Sequence, residues 1–559
     1  MGINPRAVRV SASDRAAALA HTNFMGSVAY DVSNPLVQLR MCAASSFFGE
    51  PVYYSETESK RSTSNASRFI DVLTETLGAS GKMARWSKLG AAERMEQAID
   101  EALAFDVKGT LEIATALRQE DHIRTTPQVI LVRAANHASA RGTGLVREYM
   151  PKIARRTDDV VTQFAYQMEL FGKKVPNSLK RGWADYLSAQ NEYSLAKYRM
   201  ENRKYKLVDT LYFAHAKSDA IAKLMNGTLS LGNDKTWEAM ISAKGSSKET
   251  WTQAIDVMGH MALLRNLNNF IKHGVDTKAY LPKLIETAAK GQQLPFRYFS
   301  AFTAVGASAP SVVKDALETC LEESLGNLPM FSGRVMSLCD NSGSAQGAMT
   351  SSMGSVQVNH IANLTAVLTA RRSEDGHVGV FGDKLQTFSV GKKSSVFTEV
   401  EKANTMGQGI GQSTEHGVWL FWDKAIKNKE HWDHVFVYSD MQAGHGGLYG
   451  TGGYDAYRWQ NGRHIDVPKL IAEYRRTVNP NVHVYLVQVA GYRDTLVPEV
   501  YAKTHILGGW GDGILRYAAR MAELEGGAVQ TAPVLQIAPP AAVVASPIVA
   551  TKKRVRKST

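Results

Sequence analysis

The segment Val335–Ser344, with the sequence VMSLCDNSGS, decides the fold. Its first five residues are mostly apolar and lead directly into Asp340, Ser342 and Ser344. An apolar run that ends in a polar loop is typical of a buried strand in an open α/β sheet, where ligands bind at the carboxyl ends of the strands. A carboxylate and two hydroxyls on one turn offer the oxygen ligands that Mg²⁺ prefers. The alternative for this segment is an Asx turn that caps the next helix.

Two later segments favour the cation site over the turn. Gly411–Thr414 precedes an amphipathic helix, and a second apolar run, HVFVYSD, ends at Asp440. Both would place an oxygen at the same edge of the sheet. The three motifs together resemble the metal-ion-dependent adhesion site, or MIDAS, of von Willebrand factor A domains. This resemblance implies a divalent cation, Mg²⁺, as the cofactor, with these ligands: Asp340, Ser342, Ser344, Thr414 and Asp440.

Length and composition indicate a multidomain protein without membrane segments. A chain of 559 residues is long enough for several domains with substantial cores. It contains no apolar run of about twenty residues, so a membrane span is not expected. It does not begin with basic residues followed by an apolar run, so secretion is not expected. The three widely spaced cysteines, Cys42, Cys320 and Cys339, cannot form a disulfide framework or a zinc site. A cytoplasmic, reducing location is the simplest expectation.

The net charge of +12 favours an acidic partner, with nucleic acid first and an anionic membrane surface second. Between Arg147 and Lys223 there are fifteen lysines and arginines against nine acidic residues. Aromatic residues are interleaved with these clusters, a mixture that suits the ends and loops of RNA better than a smooth duplex. The alternative is that most of the aromatic residues are core and that the basic clusters form a solvated face.

The spacing of apolar residues and the local composition divide the chain into four regions. Residues 1–65 form an N-terminal arm with a short hairpin or irregular structure. Residues 66–328 show apolar residues at helical spacing, in segments such as 127–140, 206–224 and 250–271, which predicts a curved HEAT-like solenoid of stacked helices. Residues 329–526 alternate strands and helices, which predicts a mostly parallel α/β sheet. Residues 527–559 are rich in Ala, Pro and Val, end in a basic cluster, and are predicted to be a disordered tail.

Several segments resemble the TROVE family, which includes the Ro ribonucleoprotein autoantigen and its bacterial orthologues. The segments are Ser178–Tyr186, Leu195–Arg199, Asp209–Lys217, Met261–Leu267 and Leu294–Tyr298. The resemblance implies a HEAT-like helical solenoid closed into a ring by a Rossmann-like von Willebrand factor A domain. It also implies that a small Y-like RNA binds the outer surface and that single-stranded ends of misfolded RNAs enter a central hole.

The resemblance also points to individual RNA-binding residues. Lys197 and His215 match the lysine and histidine of the family's Y RNA surface, whereas the family's arginine falls near Glu201, with Arg203 displaced by one residue. A protein that contacts mainly the phosphates and sugars of RNA binds it with little dependence on the RNA sequence. The candidates for the outer surface are Lys180, Arg181, Lys197, Arg199, Arg203 and His215. The candidates for the inner rim, predicted to share one helical face, are Arg133, His137 and Arg141.

Three function classes compete. The first is a monomeric RNA-binding ring that acts in RNA quality control or as an adaptor to an exoribonuclease. The second is a protein-interaction module whose cation captures an acidic residue of a partner. The third, a metal-dependent enzyme, is not expected, because the sequence has no P-loop and no second acidic pair for a two-metal site.

Overall fold

The computed structural model describes the chain in segments. They are residues 20–22, 28–32, 34–45, 91–121, 123–201, 203–229, 235–291, 293, 295–326, 328–348, 357–410, 417–441, 467–489, 494–496, 502–509, 512–524 and 529–530. Within these segments, no helix has both the length and the apolar character needed to cross a bilayer. Most of the predicted N-terminal arm and the basic end of the predicted tail lie outside them.

The N-terminal arm is joined to the sheet domain. Strands β1 (Ala20–Thr22) and β2 (Val28–Asp31) form an antiparallel pair, and β2 also pairs with β8 (Asp494–Thr495). Helix α1 (Pro35–Ser45), which the sequence analysis did not predict, follows directly. Strand β2 is therefore paired with a strand that lies more than four hundred positions later.

A long helical region follows. Its first half contains α2 (Ala91–Phe105), α3 (Val107–Gln119), α4 (Thr126–Asn136), α5 (Leu145–Ile153), α6 (Thr157–Tyr166), α7 (Asn177–Ser188), α8 (Glu192–Lys197), α9 (Leu207–Ala214) and α10 (Asp219–Met225). Its second half contains α11 (Trp237–Lys244), α12 (Lys248–Ala254), α13 (His260–Arg265), α14 (Leu267–Lys272), α15 (Thr277–Glu286), α16 (Pro295–Val305) and α17 (Ser311–Leu325).

Alternate helices pack against each other along this region. Helix α5 contacts α3 and α7, and α15 contacts α13 and α17. Such pairing of every second helix is expected when two-helix units stack side by side, because each unit buries its apolar stripe against its neighbours. The predicted solenoid of short stacked helices agrees with this arrangement.

Several helices are shorter than the sequence pattern predicts. The predicted helix 206–224 is interrupted where His215 adopts a left-handed conformation with φ of 57°, and α10 begins after Ser218, whose side chain accepts a hydrogen bond from the backbone of Ile221. The predicted helix 250–271 is divided into α12, a 3-10 turn, α13 and α14. Apolar spacing continues across these breaks, so periodicity alone could not find them.

The C-terminal domain is a mixed α/β sheet. Its strands are β3 (Met330–Asp340), β4 (Ser373–Phe381), β5 (Leu385–Ser389), β6 (His434–Ser439), β7 (His483–Gln488), β9 (Thr504–Gly508) and β10 (Val529–Gln530), and its helices are α18 (Val358–Arg371), α19 (Val396–Gln408), α20 (Gly417–Lys427), α21 (Val467–Thr477) and α22 (Asp512–Leu524). The main strand order is β5-β4-β3-β6-β7-β9. All neighbours in this order are parallel except β4 and β5. The predicted mostly parallel sheet is confirmed, although α19 was not predicted.

The last helices of the helical region contact the sheet domain directly. Glu318 on α17 accepts hydrogen bonds of 2.6 Å from the hydroxyl of Ser395 and the backbone of Val396 at the start of α19. One turn further along α17, Glu322 pairs with Arg371 at 3.2 Å. These polar contacts fix α19 at the carboxyl end of the helical region.

The first helices contact the same domain through α1. Helix α1 packs against α2 and α3 on one side and against β9 on the other. Glycines allow the close approach: a Cβ atom at Gly109 would clash with Leu36, and one at Gly508 would overlap the backbone of Met41. Arg40 pairs with Asp121 at 2.7 Å beside this contact. The sheet domain therefore contacts the last helices directly and the first helices through α1.

Candidate nucleic-acid interface and cation site

A cleft of about 900 Å³ opens within the helical region. Its wall is built from residues that are far apart in sequence: Arg124 before α4, the start of α6, the segment from Ala196 to Arg203, the start of α11, α13, and the turn after α15. The stacking of short helices brings these six pieces together. The volume lies within the range of about 300–1,000 Å³ that is usual for ligand sites.

The cleft is strongly basic. Seven of its lining residues are lysine or arginine and two, Asp158 and Glu238, are acidic. The basic residues are Arg124, Arg156, Lys197, Arg199, Arg203, Arg265 and Lys290. An excess of positive charge inside a concave surface focuses the field and attracts polyanions. The cleft is therefore the candidate nucleic-acid interface.

Two buried carboxylates position the arginines of one wall. Asp158 binds the guanidinium groups of Arg124 and Arg156. Asp159 is fully buried and accepts hydrogen bonds from Arg118 at 3.0 Å and from the backbone of Arg156 at 3.1 Å. Burial opposes its charge, but the guanidinium groups of Arg118, Arg124 and Arg156 outweigh burial and lower the pKa of Asp159. The arginines at this wall are thus held in fixed positions and are partly neutralised.

Lys197 and Lys290 differ from these arginines. Both side chains are exposed, and within the described part of the chain neither is paired with a carboxylate. Lys197 lies 3.3 Å from the hydroxyl of Tyr193. Because no described carboxylate is paired with either ammonium group, these two lysines are the best placed to bind phosphate.

The structure divides the predicted outer set into two groups. Lys197, Arg199 and Arg203 line the cleft, whereas Lys180, Arg181 and His215 are not among its lining residues. Lys180 lies over the ring of Phe213 at 5.4 Å, and Arg181 and His215 are exposed. Arg199 donates a hydrogen bond to the carbonyl of Leu229 and forms an ion pair with Glu201. The assignment of RNA contacts to these six residues remains a proposal.

The prediction that Arg133, His137 and Arg141 share one helical face was wrong. Helix α4 ends at Asn136, His137 is its extended C-cap, and a 3-10 turn precedes Arg141. Arg133 is also engaged by Asp100, and by Glu96 at 3.3 Å. Burial opposes the charge of Arg133, but the contact with Asp100 raises its pKa above the usual value. Its contacts fit a structural ion pair better than an RNA contact.

Sequence reasoning missed Arg124, Arg265, Lys290 and Trp237, all of which line the cleft. Arg265 lies in the quoted segment Met261–Leu267, which carried a family resemblance but no assigned role. The other three are isolated in sequence. No local signal distinguishes them from ordinary surface residues, because only the stacking of distant helices brings them to one cavity.

The predicted cation site lies at the carboxyl edge of the sheet, where β3 and β6 are parallel neighbours. The carboxylate of Asp340 accepts hydrogen bonds from the hydroxyl of Ser439 at 2.5 Å and from the backbone of Ser342 at 2.9 Å. The hydroxyls of Ser342 and Ser344 are 3.1 Å apart. Asp440, which follows Ser439, is fully buried. Thr414 lies outside the described residues.

Burial raises the pKa of Asp340, and the hydrogen bonds from Ser439 and Ser342 only partly oppose this effect. A bound divalent cation would stabilise the charged carboxylate. Among the described residues, no group of three or more histidine, cysteine or acidic side chains is arranged so that it could hold a metal ion. The predicted donors in the described residues are two carboxylates and two serine hydroxyls, oxygen ligands that suit Mg²⁺ better than a transition metal. Ser439 was missed as part of this site, although it directly precedes Asp440.

A buried group of amides holds the loop after Asp340. Asn341 donates to Asn363 at 2.7 Å, and Asn363 donates to Asn404 on α19 at 2.8 Å. The side chain of Gln346 donates to the carbonyl of Gly407 at 2.7 Å. These bonds fix the Asp340 loop to α18 and α19, so the oxygens of Ser342 and Ser344 are positioned by the surrounding helices.

Comparison with known proteins agrees with this architecture. A family model described as TROVE domain matches residues 226–327, which include the segments Met261–Leu267 and Leu294–Tyr298. The chain contains a TROVE domain. The resemblance to the TROVE family inferred from the sequence is thus confirmed. Among curated proteins, none matches the chain.

A solved structure is similar to most of the chain. The crystal structure of the Ro (RSR) protein of Deinococcus radiodurans matches 83% of this chain and 100% of that one, with a TM-score of 0.52 and 16% identity. At this identity the likeness concerns the fold. It covers a mostly helical region combined with a mixed, mainly parallel α/β domain.

Proposed function

We propose that this TROVE-domain protein binds RNA, with the basic cleft as part of its outer RNA-binding surface. The observation that carries the proposal is the charge of the cleft, where seven basic residues face two acidic ones. The ligand is a small structured noncoding RNA of the Y-like type. The phosphate groups of such an RNA would release counterions on contact with these side chains, which supplies most of the affinity.

The helical region closes into a ring in this proposal. The end of the region contacts the sheet domain directly, through Phe302 of α16 against Phe397 and through Glu318 of α17, and its start does so through α1. A ring of this kind would hold the single-stranded 3′ ends of misfolded RNAs in its central hole. The protein would then act in RNA quality control, either as a chaperone or as an adaptor that presents RNA to an exoribonuclease.

Salt dependence tests the RNA-binding proposal. Filter binding of a structured small RNA should give a plot of log affinity against log salt with a steep negative slope, about −0.7 to −0.9 for each phosphate contacted. The same amount of a neutral polymer should show no binding. An affinity for RNA that does not change with salt would be incompatible with an electrostatic cleft.

A second role, in protein interaction, is favoured by the buried oxygen site. We propose that Asp340, Ser342 and Ser344, with Asp440 and Thr414, hold Mg²⁺ and leave one coordination position for an acidic side chain of a partner. The support is the pair of buried aspartates at neighbouring strand ends. RNA binding would not depend on this site, since the cleft residues belong to other elements.

Replacement of Asp340 by Asn tests the cation site. At a Mg²⁺ concentration ten times Kd, the natural chain should gain about 1.4 kcal/mol of stability, visible as a higher melting temperature. The Asp340→Asn variant should lose this gain but keep its RNA affinity. Without Mg²⁺ it should be no less stable than the natural chain, because burial already disfavours the charge of Asp340. The control is Glu401→Gln, which neutralises an exposed carboxylate of the same domain. A Mg²⁺-dependent gain that survives in Asp340→Asn would rule out this carboxylate as a ligand.

A further inference from the structure

An aromatic platform forms one wall of the basic cleft. Trp237, the first residue of α11, lines the cleft and is half-buried. Its indole stacks on that of Trp251, with ring centres 5.9 Å apart and an angle of 28° between the planes. Trp251 is buried, donates to the hydroxyl of Ser246 at 2.8 Å, and packs edge-on against Phe270. One face of Trp237 is therefore supported by a fixed aromatic group.

The surroundings of the platform are also fixed. The side chain of Thr236 accepts a hydrogen bond of 3.2 Å from the backbone of Ala239 and so caps α11 beside the cleft. Another part of the wall contains His260, whose two ring nitrogens bind Thr287 at 3.1 Å and Tyr298 at 2.9 Å. Because this wall is preformed, little conformational entropy of its side chains is lost when a ligand binds.

Two exposed lysines accompany the platform. Lys197 and Lys290 line the same cleft as Trp237 and come from different segments. An aromatic ring beside phosphate-binding cations is the combination found at sites for unpaired bases, because every base has a face that can stack and every nucleotide has a phosphate. Binding of duplex RNA through its phosphates alone would not require an indole in the wall of the cleft.

We propose that the cleft is a pocket for one unpaired nucleotide of RNA, whose base stacks on Trp237 and whose flanking phosphates contact Lys197 and Lys290. This inference rests on the proposed RNA-binding function and goes beyond it by naming the element recognised. Bases inside a duplex are already stacked on their neighbours, so only a bulged or looped nucleotide can enter. The cleft volume of about 900 Å³ leaves room for such a nucleotide and its phosphates.

The test compares two hairpin RNAs that have the same length and charge. One carries a single bulged nucleotide, and the other carries an abasic nucleotide at the same position. Affinities for both are measured by filter binding with the full chain and with Trp237→Ala and Trp237→Phe. Phe105→Ala is the matched control, because Phe105 is an aromatic side chain, 61% exposed, that is not among the residues lining the cleft.

We expect the natural chain to bind the bulged RNA about tenfold more tightly than the abasic RNA. Trp237→Ala should lose this preference while its affinity for the abasic RNA stays the same, and Trp237→Phe should keep most of the preference. Phe105→Ala should behave as the natural chain. The comparison of the two RNAs on the natural chain needs no substitution, so it tests the proposal even if Trp237→Ala fails to fold.

Two outcomes would overturn the nucleotide pocket and leave RNA binding intact. One is equal affinity of the natural chain for the bulged and abasic RNAs, both with a steep salt dependence. The other is an equal loss for both RNAs in Trp237→Ala, which would mean that Trp237 only supports the fold. Failure of the natural chain to bind either RNA would instead overturn the proposed function together with this inference.

Discussion

Reversing the charge of two cleft lysines should weaken RNA binding about 100-fold at moderate salt. In the double variant Lys197→Glu/Lys290→Glu, two phosphate contacts are lost and two repulsive charges are introduced into the cleft. The slope of log affinity against log salt should become shallower by about two, one unit for each lysine. Both side chains are exposed and, within the described residues, have no carboxylate partner, so the fold should be unaffected. Filter binding across a salt series measures both quantities.

The control separates a local contact from the general charge of the protein. Lys392→Glu/Lys393→Glu changes the formal net charge of +12 by the same four units, at exposed positions between β5 and α19 in the sheet domain. This variant should lose much less affinity than the cleft variant, because exposed charges beyond about 10 Å are screened at 0.1 M salt. Equal losses in the two variants would mean that RNA responds to net charge and that the cleft is not the binding surface.

The position of the two strand-end aspartates shows what the sequence can predict. Asp340 and Asp440 each end an apolar run, and the apolar runs are neighbouring parallel strands, as alternation of strands and helices implies. The relevant information is local, because a buried strand and the first residues after it fix where an oxygen lies. The hydrogen bond from the hydroxyl of Ser439 to Asp340 depends on the register between β3 and β6. Register between distant strands is not encoded in either segment alone.

The cleft shows what the sequence could not predict. Lys197 was found through a family motif, but Lys290 and Trp237 join it only because α8, α11 and α15 are stacked in the fold. Conversely, the spacing of Arg133, His137 and Arg141 suggested a common face that the end of α4 at Asn136 abolishes. Apolar periodicity identifies which side of a helix is buried. It does not say which distant helix supplies the opposite wall of a cavity.

Helix α1 is the strongest case of a long-range contact, and a single methyl group should disrupt it. A Cβ atom in Gly508→Ala would overlap backbone atoms of Met41, and no side-chain rotation can relieve that overlap. Helix α1 must therefore move away from β9, although Leu39 and Cys42 on it are fully buried. Overpacking usually costs about 1–3 kcal/mol, and the loss of burial on α1 places this case at about 3 kcal/mol or more. Thermal unfolding measures this loss.

The same substitution tests whether α1 closes the ring. If α1 links α3 to β9 as the closing contact, Gly508→Ala should also increase the maximum dimension of the protein in small-angle scattering, because one end of the helical region is released. Gly409→Ala is the matched control: its Cβ would lie 3.7 Å from the carbonyl oxygen of Met406, an ordinary contact. A less stable Gly508→Ala protein of unchanged dimensions would show that α1 stabilises the sheet domain without closing a ring, and the proposed central hole would lose its structural support.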